Sequence, residues 1–555
     1  MPSDAIDNAI QHTASRKDTW RRLDPRQKLA YLQQVRALSE VNAAAWARTC
    51  LRIRGVPEGG PAPHLEGAAW LAGVTLFGFS LDTLIRSYET FVRRGSLPTV
   101  SEWRQRPDGR RIATVFPSRA LDKLYAPGHW GEIWFQPGAG GVQSREFVEG
   151  SGGVCGILGA GNYEAPLDVL SKMFVENKVV VYKPNPVNEA NREVVERVFA
   201  PLIRDGYLAV VSGGKDAGQG LVSHTAVDEI LLTGGIQTYN QIMWGADEET
   251  QRRNRAAGAR QLTKRLDAEL GGVAPVIVIP GRWTEAELDH QTAQIVAAKM
   301  ANAGHICASP QVLVLDKAWP QRRQFLDRLR LHLLNAPPES SYYPGAPQRQ
   351  QRFRETYPAA EELGPQTPQL DKQLKPVFIS NGPLNGFAVR EEAFCLVLAE
   401  TSLEGTGADP AAFVNKAVEY CNQHLYGTLS CMVVVDPRRQ RDLGDQLDDA
   451  ISALRYGTIG VNTAGLMVIL FPPLPWGAYP GHTPEDIQSG VGTINNTWMF
   501  EGVEKSVLWS PFVSPLHLKP GTARDKLISC RMGYYALHPS YARVAKLLSA
   551  ALLGV

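Results

Sequence analysis

Cys307 lies in the stretch "NAGHICASP", Asn302 to Pro310, behind a helix-like run and ahead of an apolar, strand-like one. A cysteine in such a loop is either a nucleophile or a small apolar residue that fills a gap. Gly304 is the expected left-handed cap of the preceding helix. Cys307 then follows a helix C-terminus, where no positive dipole end lowers its pKa, so activation needs another source. His305 stands two residues away and offers a Cys–His couple, although loop neighbours that close usually point apart.

Three further side chains have types suited to chemistry. Glu269, in "LDAELGG", stands just ahead of Gly271-Gly272, where backbone can approach a ligand closely; it is otherwise a surface carboxylate at an element end. In "GILGAGNYE", Gly159 and Gly161 give G-x-G after a strand, but Glu164 occupies the third glycine position, so the dinucleotide fingerprint fails. What remains is a tight strand-to-helix turn, at which the Asn162 amide is placed to donate to a developing oxyanion. Lys183 ends the apolar strand "VVVYKP", where it reaches a phosphate or a ribose, or simply solvent.

The elements around these residues alternate. "GGVCGILG", "VVVYKP", "YLAVVSG" and "VDEILLTG" have the near-continuous apolar character of buried parallel strands, with helical runs between the first three. The rhythm restarts with "PVIVIPG", a helix over Glu285 to Ala303, "QVLVLD", "CMVVVD" and "TIGVN", which places a domain boundary near Gly271-Gly272. Residues 28–51 carry helical periodicity, and Trp103 to Pro137 suggests loops with a strand or two. The Pro-rich, charged region from Pro337 to Pro376 is expected to be a surface excursion. The amphipathic end, "SYARVAKLLSAALLGV", is expected to dock on the protein itself or on a partner subunit.

Bulk properties narrow the function classes. A chain of 555 residues exceeds one hydrophobic core, and 44% hydrophobic with 21% charged residues is ordinary globular composition. A formal net charge of +2 gives no hint of nucleic-acid binding. Seven cysteines, none in a C-x-x-C pair or with zinc-ligand spacing, fit neither a disulfide framework nor a metal site, and suit a reducing cytoplasm. The longest uncharged apolar stretch, Gly67 to Leu81, falls short of the roughly 20 residues that span a bilayer, and a buried helix is expected there. No apolar secretory segment is visible near the N-terminus, and the expectation is a soluble protein.

Five motifs, in order and with sensible spacing, resemble those of the NAD(P)-dependent aldehyde dehydrogenase superfamily. "ELGG" (269–272) resembles its glutamate motif, "NAGHICASPQVLV" (302–314) its cysteine motif N-x-G-Q-x-C, and "EEAFCLVL" (391–398) its E-E-x-F-G-P-V segment. "LTGG" (232–235) resembles the F-T-G-S turn, and "YKP" (182–184) the L-K-P strand end. The similarity runs from about residue 20 to 510.

By position, the resemblance implies Cys307 as nucleophile, Glu269 as the base that activates the hydrolytic water, and Asn162 as oxyanion donor beside the Cys307 backbone N–H. It implies Lys183 on the adenosine ribose, Gly235 in the cofactor turn, and Glu392 with Phe394 at the nicotinamide ribose. The implied reaction oxidises an aldehyde to a carboxylic acid with NAD or NADP through a cysteine thiohemiacetal and thioester, with no metal. The implied fold is α/β, with two doubly wound parallel-sheet domains and a small β oligomerisation element. Its divisions are a cofactor-binding domain (1–128 and 151–272), a catalytic domain (273–487), oligomerisation strands (129–150 and 488–512) and a C-terminal extension (513–555). The alternating "REFVEG" and "VEKSVLW" fit such strands. The implied partners are a small aldehyde and further copies of the chain in a homodimer or homotetramer, with no nucleic acid and no membrane.

Departures from the pattern mark a divergent member. His305 replaces the usual Gln, Cys395-Leu396 replace Gly-Pro, and Pro-Trp is missing ahead of Asn162. Pro186 stands where NAD-preferring members often carry Glu, which leaves room for NADP. An Arg-rich insert, 245–261, is expected to be solvated. Three alternatives stay open: a CoA-acylating enzyme, a Cys–His hydrolase without redox activity, and a silent scaffold. Loops near Trp476 and Tyr342 are expected to set the substrate.

Overall fold

In the computed structural model, residues 3–56, 63–100, 102–365, 373–513 and 523–553 are described. Their strands form two sheets. The first has the order Gly490–Val491, Arg265–Glu269, Glu229–Thr233, Val154–Leu158, Val179–Lys183, Leu208–Val210. All its neighbours are parallel except the pair Gly490–Val491 and Arg265–Glu269. The chain leaves Val154–Leu158 toward one edge, then returns to the other side at Glu229–Thr233. That reversal makes a crevice at the carboxyl ends of these strands, the place where open α/β sheets bind ligands.

The second sheet has a parallel centre running from Val503–Trp509 through Thr458–Val461, Ser430–Val434, Ala274–Val278, Pro310–Asp316 and Val397–Leu403 to Val377–Ile379. Beyond Val503–Trp509 it continues antiparallel into Trp130–Phe135, Arg111–Phe116 and Glu102–Gln105. Within one chain, therefore, the strands expected to bridge subunits extend this sheet. "REFVEG" departs from its expected strand: Glu146–Glu149 is a short helix. Its alternation spans too few residues to compete with burying Phe147 edge-on against Tyr88 and Phe91.

Helix ends follow local chemistry. Asp24 caps the helix Pro25–Ile53, accepting from the backbone N–H groups of Arg26 and Gln27, with Pro25 at the first turn. Thr284 and Glu287 form a capping box at the start of Glu285–Met300. The apolar stretch at 67–81 lies within the helical run His64–Arg94, long and apolar enough to cross a membrane by length and composition, yet 78% of its apolar window is buried inside the protein. The Arg-rich insert forms the helix Glu248–Ala256, which buries no residue. The C-terminal helix Ala523–Leu537 packs against the helical run 63–94, and Tyr541–Leu553 packs against Ala523–Leu537 and against the helix Ala120–Tyr125.

Candidate active site

The cysteine loop is shaped by three consecutive left-handed residues rather than by one glycine cap. After the helix ends at Met300, Asn302, Ala303 and Gly304 have φ of 52°, 53° and 73°. Only Gly takes that region freely, and Asn tolerates it, so Ala303 is held there by its surroundings. Asn302 supplies the hold. Its Nδ2 donates to the Asn162 carbonyl at 2.7 Å, and stands 3.3 Å from the His305 carbonyl and 3.2 Å from the Tyr342 hydroxyl. The Asn162 amide in turn donates to the His305 carbonyl at 2.9 Å. The glycine-rich turn and the cysteine loop are thereby tied together, and a primary amide keeps a second hydrogen to donate.

Asn162, Glu269, Cys307, Gly235, Glu392 and Phe394 all line one cavity of about 1250 Å³. Lys183 is not in that lining; it closes its strand as a buried amine, 3.4 Å from the Pro184 carbonyl, with its pKa lowered by burial. Gly235 begins the helix Ile236–Trp244, and space beyond its Cα is open, so the helix N-terminus faces the cavity unobstructed. Phe394 has φ of 46° and packs edge-on to Tyr343, ring centroids 5.0 Å apart.

The electrostatics set the protonation states. Burial first, then the Glu392 and Glu269 charges, push the Cys307 thiol well above its ordinary range. Burial, with Asp168 and Asp267 nearby, raises the Glu269 carboxyl well above the usual carboxylate range, and its Oε2 has no partner among the described residues. Burial also raises Glu392 to about 8, against the opposing pull of Arg349 and Lys299; its Oε1 likewise lacks a partner among the described residues. Two buried carboxylates with unsatisfied oxygens in one cavity are costly unless they act on a ligand or a water.

His305 does not couple to Cys307. Its Nδ1 lies 2.8 Å from the Phe394 carbonyl and its Nε2 3.3 Å from the Ser341 hydroxyl, and burial drops its pKa to about 4. The segment expected to be a surface excursion is in part the floor of this site. Ser340, Ser341 and Glu339 are buried, and the Tyr342 hydroxyl is 3.2 Å from the Asn162 carbonyl. The correction has a plain cause: "SSYY" carries apolar rings and short hydroxyls inside an otherwise polar run, a signal masked by the prolines around it. Residues 366–372 of that region lie outside the described residues. Among the described residues, one cluster with metal-like spacing occurs, Glu176, Glu229 and Asp267, and the Lys172 ammonium stands among them at 2.9, 3.1 and 2.6 Å.

Residues 152–338 match the model of the aldehyde dehydrogenase family, a span that holds Asn162, Lys183, Gly235, Glu269 and Cys307. Over that span, roughly a third of its length, the chain is similar to the aldehyde dehydrogenase family.

The chain is also similar to a D-glyceraldehyde dehydrogenase (NADP(+)) of Picrophilus torridus, 25% identical over 53% of this chain and 57% of that protein. It is also similar to N-succinylglutamate 5-semialdehyde dehydrogenase 1 of Caulobacter vibrioides, 30% identical over 30% of this chain and 32% of that protein. The chain thus spans between about a third and somewhat over half the length of these curated relatives. Among solved structures it shares its fold with an NADP-dependent glyceraldehyde-3-phosphate dehydrogenase of Bacillus halodurans C-125, at a TM-score of 0.60 and 16% identity over 92% of both chains. The aldehyde dehydrogenase KauB of Pseudomonas aeruginosa gives a TM-score of 0.61 at 16% identity over 91% of this chain and 89% of that one. These aldehyde dehydrogenase likenesses carry the α/β architecture of two parallel-centred sheets across nearly the whole chain.

Proposed function

We propose that the chain oxidises an aldehyde to a carboxylic acid with NAD or NADP, by thioester formation on Cys307 and hydrolysis. The observation that carries this reading is Glu269, a buried carboxylate with a raised pKa and an unpartnered oxygen in the same cavity as the cysteine.

The residues fit a dinucleotide. The open helix N-terminus at Gly235 suits a pyrophosphate, the buried Lys183 amine suits a ribose, and the unsatisfied Glu392 Oε1 suits the hydroxyls of a second ribose. Pro186, first in the turn Pro186–Asn191, offers no carboxylate to either nucleotide's adenosine ribose, which supports use of NADP as well as NAD.

Cys307 supplies the nucleophile. Its thiol, held neutral by burial, loses its proton to solvent as sulfur adds to the aldehyde carbon. Asn162 donates its second amide hydrogen to the thiohemiacetal oxygen, together with the Cys307 backbone N–H. When bound, the nicotinamide supplies the oxidant for hydride loss from that carbon. Glu269, ionised at this stage, takes a proton from water as the water attacks the thioester and passes it to the Cys307 sulfur, which leaves as thiol with the acid released. Asn302 and Tyr342 hold Asn162 in place throughout.

Two features bear on assembly and compartment. Trp130–Phe135 and Val503–Trp509 belong to a ribbon that ends in the exposed edge strand Glu102–Gln105, along which a homodimer or homotetramer would form. All seven cysteines are free thiols, which supports a reducing cytoplasm. The test is reduced-nicotinamide absorbance with an aldehyde panel and each cofactor, with and without CoA. Wild type is expected to turn over without CoA, Cys307→Ala to be silent, and Glu269→Gln to stop after one turnover. Turnover that needs CoA, or that survives Cys307→Ala, defeats the reading.

A further inference from the structure

One wall of the cavity that holds Cys307 is built by the end of the chain. Helix Ala523–Leu537 contributes Ile528 and Met532, and helix Tyr541–Leu553 contributes Leu547, Leu548 and Ala551. These five apolar side chains join Leu71, Leu76 and Phe471 from elsewhere in the chain. The polar atom of a further lining residue is turned into the wall: the Tyr125 hydroxyl donates to the Met532 sulfur at 3.6 Å. The Arg54 guanidinium, also in the lining, is taken up by Glu164 at 2.6 Å.

The helix pair is seated, not draped. A Cβ on Gly78 would stand 2.7 Å from the Leu537 backbone nitrogen, and one on Gly533 would stand 2.8 Å from the Trp70 ring, so glycine lets backbone meet backbone at the first and an indole pack on backbone at the second. Lys526 pairs with Glu66 at 2.6 Å, Arg543 pairs with Glu40, and the Arg543 guanidinium donates to the Tyr534 carbonyl at 2.7 Å. A wall fixed this way holds its shape against a ligand. A charged or hydroxylated tail placed on Ile528, Met532 and Leu548 would lose water and gain no partner. A hydrocarbon tail would gain about four-fold in binding for each methylene it buries.

We infer that the C-terminal helix pair is a specificity wall, and that the cavity beside it takes the hydrocarbon chain of an aliphatic aldehyde. The inference rests on the proposed aldehyde oxidation and names its substrate class.

The test uses the full chain and straight aldehydes from propanal to decanal, with NAD and NADP in turn, and reads kcat/KM. Wild type is expected to gain about four-fold per added methylene until the arm is full. Met532→Asp puts a charge in the arm and Leu548→Trp fills it. Either is expected to flatten the slope, so that decanal loses at least about 30-fold relative to propanal. A flat wild-type series overturns the inference. So does a variant that keeps the slope, or one that lowers every chain length by the same factor. If no aldehyde is oxidised at all, calorimetric titration with 1-decanol separates the two readings. Binding weakened at least ten-fold in both variants keeps the arm and defeats only the activity, whereas no binding defeats the arm too.

Discussion

A Cβ on Gly271 would overlap the carboxylate of Glu392. The glutamate motif and the segment 391–398 therefore meet through a missing side chain, and the orientation of one acid depends on a glycine 121 positions away. Gly271→Ala is expected to displace Glu392 while leaving Glu269, two residues earlier, in its strand. The cofactor KM should rise at least about ten-fold, the effect of losing roughly one charge-assisted hydrogen bond pair. Initial rates at varied NAD and NADP check it; an unchanged cofactor KM removes Glu392 from the nucleotide site.

Asn302 holds a left-handed backbone and reaches the Asn162 carbonyl, the His305 carbonyl and the Tyr342 hydroxyl. Asn302→Ala removes that contact set and adds left-handed strain, for a loss of about 2–4 kcal/mol. Asn302→Gly keeps the backbone at ease and loses only the bonds. Denaturant unfolding should rank wild type above Gly and Gly above Ala, and both variants should lose at least ten-fold in kcat because Asn162 is no longer held. Equal stability of all three contradicts the account.

The pH profile follows from Glu269. Its carboxyl is raised well above the ordinary carboxylate range, chiefly by burial, and only its ionised form can take a proton from water. As pH falls through that raised value, hydrolysis fails first. The acid limb of kcat should therefore lie clearly above the ordinary value of about 4.3. Steady-state rates from pH 5 to 9 give the limb, and its persistence in any residual turnover of Glu269→Gln would assign it to another group.

Glu339 gives a stability signal separate from catalysis. Burial raises it to about 8, against about 4.3 in an unfolded chain. A group with a raised folded pKa contributes stability that is complete below the unfolded value and is lost as pH rises through the folded one. Wild type should lose stability between about pH 4.3 and 8 from this group, by at most a few kcal/mol. Glu339→Gln, which cannot ionise, should lose less over the same interval. Melting temperatures of both proteins across that range decide it; parallel curves would show that Glu339 does not titrate there.

The parallel strands were legible because a strand covered on both faces must be apolar throughout, and "VVVYK", "QVLVL" and "CMVVV" leave no second reading of their period. The resemblance located Cys307, Glu269, Asn162 and Glu392 by motif, and the structure brings all four to one cavity. Their burial, the raised carboxyl pKa values and the turn of His305 toward Phe394 were not legible, since each depends on what the rest of the chain lays over them.

The sequence by itself determined the alternation of strands and helices and the order of the chemistry-bearing motifs, because those follow from local periodicity and side-chain type. Only the tertiary structure decided that "SSYY" at 340–343 lies against the site and that the last helices wall the cavity. Both segments are amphipathic or mixed, and such a stretch encodes that it must be covered on one face, not which surface, hundreds of residues away, will cover it.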